Sequence, residues 1–224
     1  MFKIQNGLIT EFNIPGIKFA QDLIPITNKL ARSQLPMKPK YITLHNPASP
    51  GATAEDLTEY ADNYHGYKSW HLTIISTKVF QELPFIENGW HSGDGYNGPG
   101  NRSSIGIEIG EDEVSENTAK VFVAYLMKEY SIPIESVVPH KHWSGKNCPA
   151  YTLQHWDKYI ESIEEYYKEI TKEPHWAEKN KLSLEEKGIV INDTRYDDFM
   201  TRGEVFALLD RIVKYPGVLP GFFI

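Results

Sequence analysis

Apolar and polar positions change their period several times along the chain, and each change predicts an element. Residues 40–46, KYITLHN, are a short apolar run that reads as a buried strand. TAEDLTEYADNYH follows at helical spacing, with Thr53 as N-cap and Leu57, Tyr60, Ala61 and Tyr64 on one face. A strand followed by a helix predicts an α/β layer. WHLTIIST (70–77) and SIGIEIG (104–110) read as further strands, separated by HSGDGYNGPGNRS, a loop long enough to carry function. Alternation in SIGIEIG puts Ile105, Ile107 and Ile109 on one face and Ser104, Gly106, Glu108 and Gly110 on the other. After the acidic stretch EDEVSEN, Ser115 is the expected N-cap of a helix striped by Val121, Phe122, Tyr125 and Leu126.

SIPIESVVPHKHWSGKNCPA is irregular and broken by proline, and a Glu- and Tyr-rich helix then runs to about Ile170. TKEP marks a boundary. Beyond it, HWAEKNKLSLEEKGI and TRGEVFALLDRIVKY read as two short helices joined by INDTRYDDFM, the second opening with a Thr201–Glu204 capping box. The chain of 224 residues therefore divides into a larger unit, 1–170, and a small helical module, 174–224.

Composition narrows the class. Hydrophobic residues make up 41% of the chain, enough for a packed core. A net charge of −7 supplies no basic field for phosphates, so nucleic acid is not an expected partner. No apolar run approaches the roughly 20 residues that cross a bilayer, so no membrane partner is expected. The start MFKIQNGLITEF lacks a basic region followed by an apolar stretch. Synthesis in the cytoplasm without a signal peptide is expected, with action on any external substrate only after release. The single cysteine, Cys148, excludes an intramolecular disulfide.

That cysteine is also the first candidate for chemistry. It precedes Pro149, and Pro149 or Thr152 can open the next helix, whose N-terminus would favour a thiolate. His140 and His142 lie eight and six residues upstream, so one of them can converge with Cys148 on an ion. Cys148 could equally be a small buried hydrophobe. His45 ends a strand, on the face of Tyr41 and Thr43, where it can cap a sheet edge or serve a site. Two His and one Cys would leave a zinc position open, the coordination of a catalytic rather than a structural site. Glu108 sits on a strand face cleared by glycines, which gives a substrate room to approach; a solvent-facing Glu is the plain alternative. Lys146, two residues before Cys148, is either close to such an ion or an exposed loop lysine.

Taken together, YITLHN, WHLTII, WHSGDG, GNRSSIGIEIG and HKHWSGKNCP, in that order over about residues 20–165, resemble the zinc-dependent N-acetylmuramoyl-L-alanine amidases of the amidase-2 family. That family includes phage endolysins and the peptidoglycan recognition proteins, and the likeness is nearest to endolysins and prophage amidases of Bacillus-type hosts. The resemblance implies a mixed central β-sheet flanked by helices, and zinc held by His45, His140 and Cys148. It implies Glu108 as catalytic glutamate and Lys146 as the basic residue beside the last ligand. Trp70 stands where some members use Tyr, so no Tyr role carries over. His91, with Trp90 and Asn101 beside it, falls where the family lines its substrate groove. The implied reaction cleaves peptidoglycan between the lactyl group of N-acetylmuramic acid and L-alanine.

Residues 174–214 resemble a single S-layer-homology motif with MTRGE at its signature position, which implies binding to a secondary cell-wall polymer. Gly203 departs from the usual Ala, and such motifs usually come in threes. An ordinary helix stripe of Val205, Leu208, Leu209 and Ile212 is the alternative. Two other classes compete for the larger unit: a binding module without catalysis, and a Cys/His hydrolase with Cys148 as nucleophile.

Overall fold

The computed structural model describes residues 2–188 and 196–214, in two compact units, Met1–Thr171 and Lys172–Ile224. The first unit opens with a hairpin that the hydrophobic pattern did not disclose. Strands β1 (Phe2–Gln5) and β2 (Leu8–Phe12) pair antiparallel around Asn6–Gly7, whose φ values of 52° and 76° suit the type I′ turn that matches strand twist. Phe12 stacks on Phe122, and Phe2 on Tyr125, so the hairpin covers one end of the core.

A six-stranded mixed sheet comes next. Its strands are β3 (Lys18–Gln21), β4 (Tyr41–His45), β5 (Leu72–Ile75), β6 (Lys78–Gln81), β7 (Ser104–Ile109) and β8 (Val137–Pro139). The order across the sheet is β3-β6-β5-β7-β4-β8, and every pairing is parallel except β5 with β6. Strands β3, β6 and β8 were not expected from the sequence, because each is too short to show a period. The helices of this unit are α1 (Ala54–Asn63), α2 (Pro99–Ser103), α3 (Glu113–Tyr130), α4 (Lys141–Ser144) and α5 (Trp156–Thr171). α2 lies inside the stretch expected to be loop, and α4 and β8 inside the stretch expected to be irregular. A 3-10 turn at Thr152–His155 precedes α5.

Helix α1 starts as expected: Thr53 Oγ1 accepts from Asp56 N, and Asp56 accepts from Thr53 N. Leu57 and Ala61 are buried, whereas Tyr60 and Tyr64 are exposed. Helix α3 corrects the expected cap. Asp112, not Ser115, caps it, its carboxylate accepting from Ser115 N at 2.9 Å. The Ser115 hydroxyl is used elsewhere, donating to Asp112 Oδ2 and accepting from Ser76 N at 2.7 Å, which ties the β5–β6 turn to the helix start.

The core derives from the alternation in β7. Ile105, Ile107 and Ile109 pack with Ile42, Leu44, Leu72, Ile74 and, from α3 and α5, Phe122, Leu126, Tyr159 and Ile163. Full burial of each such side chain stabilises by about 1.5–3 kcal/mol. The opposite sheet face is buried as well, but it is polar: Thr43, His45, Thr73, Ser104 and Glu108 are all enclosed. Here the expected space at Gly106 is filled. A Cβ on Gly106 would come within 2.7 Å of the His91 ring, so the missing side chain admits His91 rather than a substrate.

In the second unit, α6 (Glu178–Glu185) is shorter than the expected helix, and α7 (Arg202–Lys214) begins at a Thr201–Glu204 capping box. Val205 and Leu209 are exposed, and the side chains of Leu208 and Ile212 lie outside the described residues, as do residues 189–195 of the expected connection and 215–224 of the module.

Gly106→Ala is expected to cost about 1–3 kcal/mol, the usual penalty for forcing a methyl into a packed site. Urea denaturation checks this; an unchanged midpoint would mean that His91 can move aside freely.

Candidate active site

Parallel pairing brings the candidate ligands together at the carboxyl ends of the strands, the edge where open α/β sheets usually carry their sites. His45 is the last residue of β4, and His140 follows the last residue of its neighbour β8, with His140 N donating to Leu44 O at 3.2 Å. The chain then turns through α4 and returns: Lys141 N donates to Cys148 O at 3.0 Å, which sets Cys148 beside His140. Asn46 clamps the segment just after Cys148. Its Oδ1 accepts from Tyr151 N and Thr152 N, and its Nδ2 donates to Ile109 O. Nothing in the residue pattern marked Asn46.

The donor atoms of His45, His140 and Cys148 all lie within 4.8 Å of one another, and Cys148 Sγ is 3.8 Å from His45 Nδ1. Zinc bonds of about 2.0–2.1 Å to nitrogen and 2.3 Å to sulfur place tetrahedral ligands about 3.3–3.8 Å apart, so the set fits such an ion after a small closure. Among the described residues no other group of three His, Cys, Asp or Glu donors converges in this way. His142, the alternative to His140, is exposed and outside the group.

Hydrogen bonding selects the tautomer of His45. The carbonyl of Ser104 can only accept, so His91 Nε2 donates to it at 3.2 Å and His91 Nδ1 is left as an acceptor. His45 Nε2, 3.1 Å from His91 Nδ1, therefore carries the proton, and His45 Nδ1 presents its lone pair toward Cys148. Burial holds the pKa of His45 well below its ordinary value, and burial also lowers His91, to about 3, and His140. All three imidazoles are thus neutral near pH 7, the form that binds metal. The thiol behaves differently from the expectation of a helix-end thiolate. Burial pushes Cys148 up to about 11, so ionisation there requires a cation beside it.

Glu108 lies directly across the β4–β7 pairing from His45. Burial raises its pKa to about 7, against the opposing pull of Lys68 and Lys146. Lys146 is exposed, and its charge is felt by His45, His140, Cys148 and Glu108, which sets it at the mouth of the site. Behind Glu108, Trp70 Nε1 donates to Thr73 Oγ1, and Thr73 donates in a short hydrogen bond to the buried Glu82 carboxyl. Trp70 is thus a buried support. Burial raises the Glu82 pKa well above its ordinary value, against the hydrogen bonds from Thr73 and Thr58.

The residues expected to line a groove divide in two. Trp90 borders a cavity of about 620 Å³ with Tyr67, Tyr96 and His140. His91 and Asn101 touch the same cavity, but their polar atoms are already used. Asn101 Oδ1 accepts from His91 N and Ser92 N, both at 2.9 Å, so it fixes the loop that carries His91. A second cavity, about 390 Å³, opens beside Glu108 and includes Tyr60, Lys68 and Trp70. Lys68 escaped sequence reasoning, because an isolated lysine in a polar stretch carries no signal of its own.

A buried trio of metal-competent donors with a carboxyl of raised pKa beside it defines a hydrolase-type site on a mixed α/β sheet. Residues 35–151 match the N-acetylmuramoyl-L-alanine amidase family, amidase-2, and the chain belongs to that family. It is 44% identical over 154 residues to the N-acetylmuramoyl-L-alanine amidase CwlH of Bacillus subtilis, covering 66% of this chain and 61% of CwlH. Identity to XlyA of the same organism is also 44%, over 51% of that protein, so the chain spans half to three fifths of these relatives' length. The solved catalytic domain of XlyA superposes with a TM-score of 0.62, covering 66% of this chain and 99% of that domain. The PlyG catalytic domain, 33% identical, gives 0.62 over 71% of this chain and all of that domain.

Any zinc held by His45, His140 and Cys148 is expected to bind about 10- to 100-fold more weakly in His91→Ala, the usual effect of removing a partner that orients a ligand. Competition with a chromogenic chelator measures it, and unchanged affinity would dismiss the tautomer argument. In the metal-free protein, Glu108→Gln is expected to raise stability at pH 8 by about 2–3 kcal/mol and by much less at pH 5. The sign comes from a folded pKa above the unfolded one, which favours folding below the unfolded value and loses that advantage as pH rises through about 7. Urea melts of both proteins at the two pH values check it.

Proposed function

We propose that this protein is a zinc-dependent peptidoglycan amidase that hydrolyses the bond between the lactyl carbonyl of N-acetylmuramic acid and L-alanine of the stem peptide. The observation that carries the reading is the convergence of His45, His140 and Cys148 on one point, with Glu108 in the neighbouring strand position. His45, His140 and Cys148 would hold the zinc, a three-donor set of the catalytic kind. When bound, zinc supplies Lewis acidity, polarising a carbonyl and lowering the pKa of water toward about 7.

The chain's own residues supply the rest. Glu108, with its pKa near 7, takes a proton from the attacking water and returns it to the departing amine, the task for which a carboxyl of that pKa is suited. Lys146 faces the oxyanion that forms as water adds to the carbonyl carbon. The C–N bond then breaks, and the products are the lactyl carboxylic acid and the free amine of L-alanine. A cysteine-nucleophile reading has no comparable support, because Cys148 is 4% exposed and burial holds its thiol protonated.

For residues 174–224 we propose attachment to a secondary cell-wall polymer. The support is the S-layer-homology-like pattern and the exposed Trp176, Phe199 and Phe206. No helix among the described residues is long and apolar enough to cross a membrane.

Glu108→Ala is expected to keep zinc yet lose wall clearing, and Lys146→Ala to lose about 10²–10³ in rate, as for removal of an oxyanion donor. Turbidity assays with metal analysis test both. Mass spectrometry of digested wall decides the bond: new L-alanine amines support the amidase, new reducing sugar ends refute it. A chain ending at Thr171 is expected to sediment less with purified wall than the full chain, and equal sedimentation would remove the second unit from wall attachment.

A further inference from the structure

Glu108 has to reach the nitrogen that leaves, so the peptide side of the scissile amide lies on the Glu108 side of the site. The cavity on that side is the one formed by Pro47, Ala52, Leu57, Tyr60, Lys68 and Trp70. The cavity bordered by Tyr67, Trp90, Tyr96 and His140 is not lined by Glu108 and is left for the sugar side. Among the described residues, Lys68 is the one cation lining the peptide-side cavity.

Its ammonium is held without being neutralised. Lys68 Nζ donates to Tyr60 Oη at 3.4 Å and sits 4.9 Å from the Tyr60 ring centroid and 6.0 Å from that of Tyr64. It makes no ion pair with a carboxylate among the described residues. Asp56 also borders this cavity, but its Oδ2 is engaged by Thr53 N and Oγ1 in the α1 capping box. The charge of Lys68 nevertheless reaches into the site, where it acts on both Glu108 and His45. Lys68 is exposed, and its charge rests against two tyrosine rings at the cavity that Glu108 also lines, with no carboxylate paired to it among the described residues.

We propose that Lys68 is a specificity-determining residue that receives the α-carboxylate of the second stem-peptide residue, a D-glutamate joined to L-alanine through its amino group and to the third residue through its side-chain carboxyl. This inference rests on the amidase reading above. That carboxylate stands on the residue next to the leaving amine, is anionic at neutral pH, and becomes a neutral amide in walls whose D-glutamate is amidated. A lysine meets the anion with a charge-assisted hydrogen bond and has less to gain from the amide. The pairing distinguishes two wall chemistries at the residue beside the bond that is cut.

The test uses the full zinc-loaded chain and two compounds: N-acetylmuramoyl-L-alanyl-γ-D-glutamyl-L-lysine and the same compound with the D-glutamyl α-carboxylate amidated. The wild type is expected to cleave the carboxylate form about tenfold more efficiently in kcat/KM, with the difference mainly in KM, corresponding to about 1.4 kcal/mol. Lys68→Met is expected to bring the two efficiencies together, and Lys68→Arg to restore most of the preference. An effect of Lys68 exerted only through Glu108 would lower both efficiencies alike and leave their ratio intact. An intact ratio in Lys68→Met, or no preference in the wild type, overturns the assignment. Failure of the wild type to release an L-alanine amine from either compound would overturn the amidase reading and this inference with it.

Discussion

Backbone hydrogen bonds between β4 and β7 run parallel in a register that sets His45 beside Glu108. Because side chains alternate along a strand, a slip of β7 by one residue would send Glu108 into the face occupied by Ile107, while His45 kept its place. The isoleucines of β7 prevent that slip, since the slipped strand would have to turn them into a polar layer. The core on one face of the sheet therefore fixes the geometry of the site on the other. β8 extends the same logic by one strand: it pairs parallel with β4 and delivers His140 to the same edge.

The polar layer is stabilised by hydrogen bonds among the groups that it encloses. His91 fits where Gly106 has no side chain, accepts a hydrogen bond from His45 Nε2 and donates one through its own Nε2 to Ser104 O. Asn101 holds the loop that carries His91, and Asn46 holds the segment after Cys148. Glu108 and Glu82 are exceptions, since each has an Oε2 buried without a partner. A carboxyl in that position has a raised pKa for the same reason that it is costly to fold, so the chemical property and the loss of stability share one cause.

Several features were legible in local sequence because local rules govern them. The Thr53 and Thr201 capping boxes, the buried run at 41–45 and the alternation in SIGIEIG need no information from elsewhere in the chain. The expected cap at Ser115 failed because Asp112 lies three residues earlier and competes for the same role, while the Ser115 hydroxyl is drawn to the β5–β6 turn. The three-residue β8 and four-residue β3 and β6 are too short for a period, and exist because neighbouring strands offer them partners. The role of Gly106 was misread for a related reason: a glycine shows that space exists but not what fills it.

The sequence by itself settled which residue types were present to do chemistry and where the local elements begin. A histidine at a strand end, a second after a proline-broken segment and a lone cysteine before Pro149 are visible as a candidate set in one dimension. Only the tertiary structure decided that His45, His140 and Cys148 converge while His142 does not, that His91 is hydrogen-bonded to His45, and that Lys68 shares a cavity with Glu108. Those relations join residues separated by as many as 103 positions. They depend on strand order and on the packing of loops over a buried polar face, which no local pattern of residues encodes.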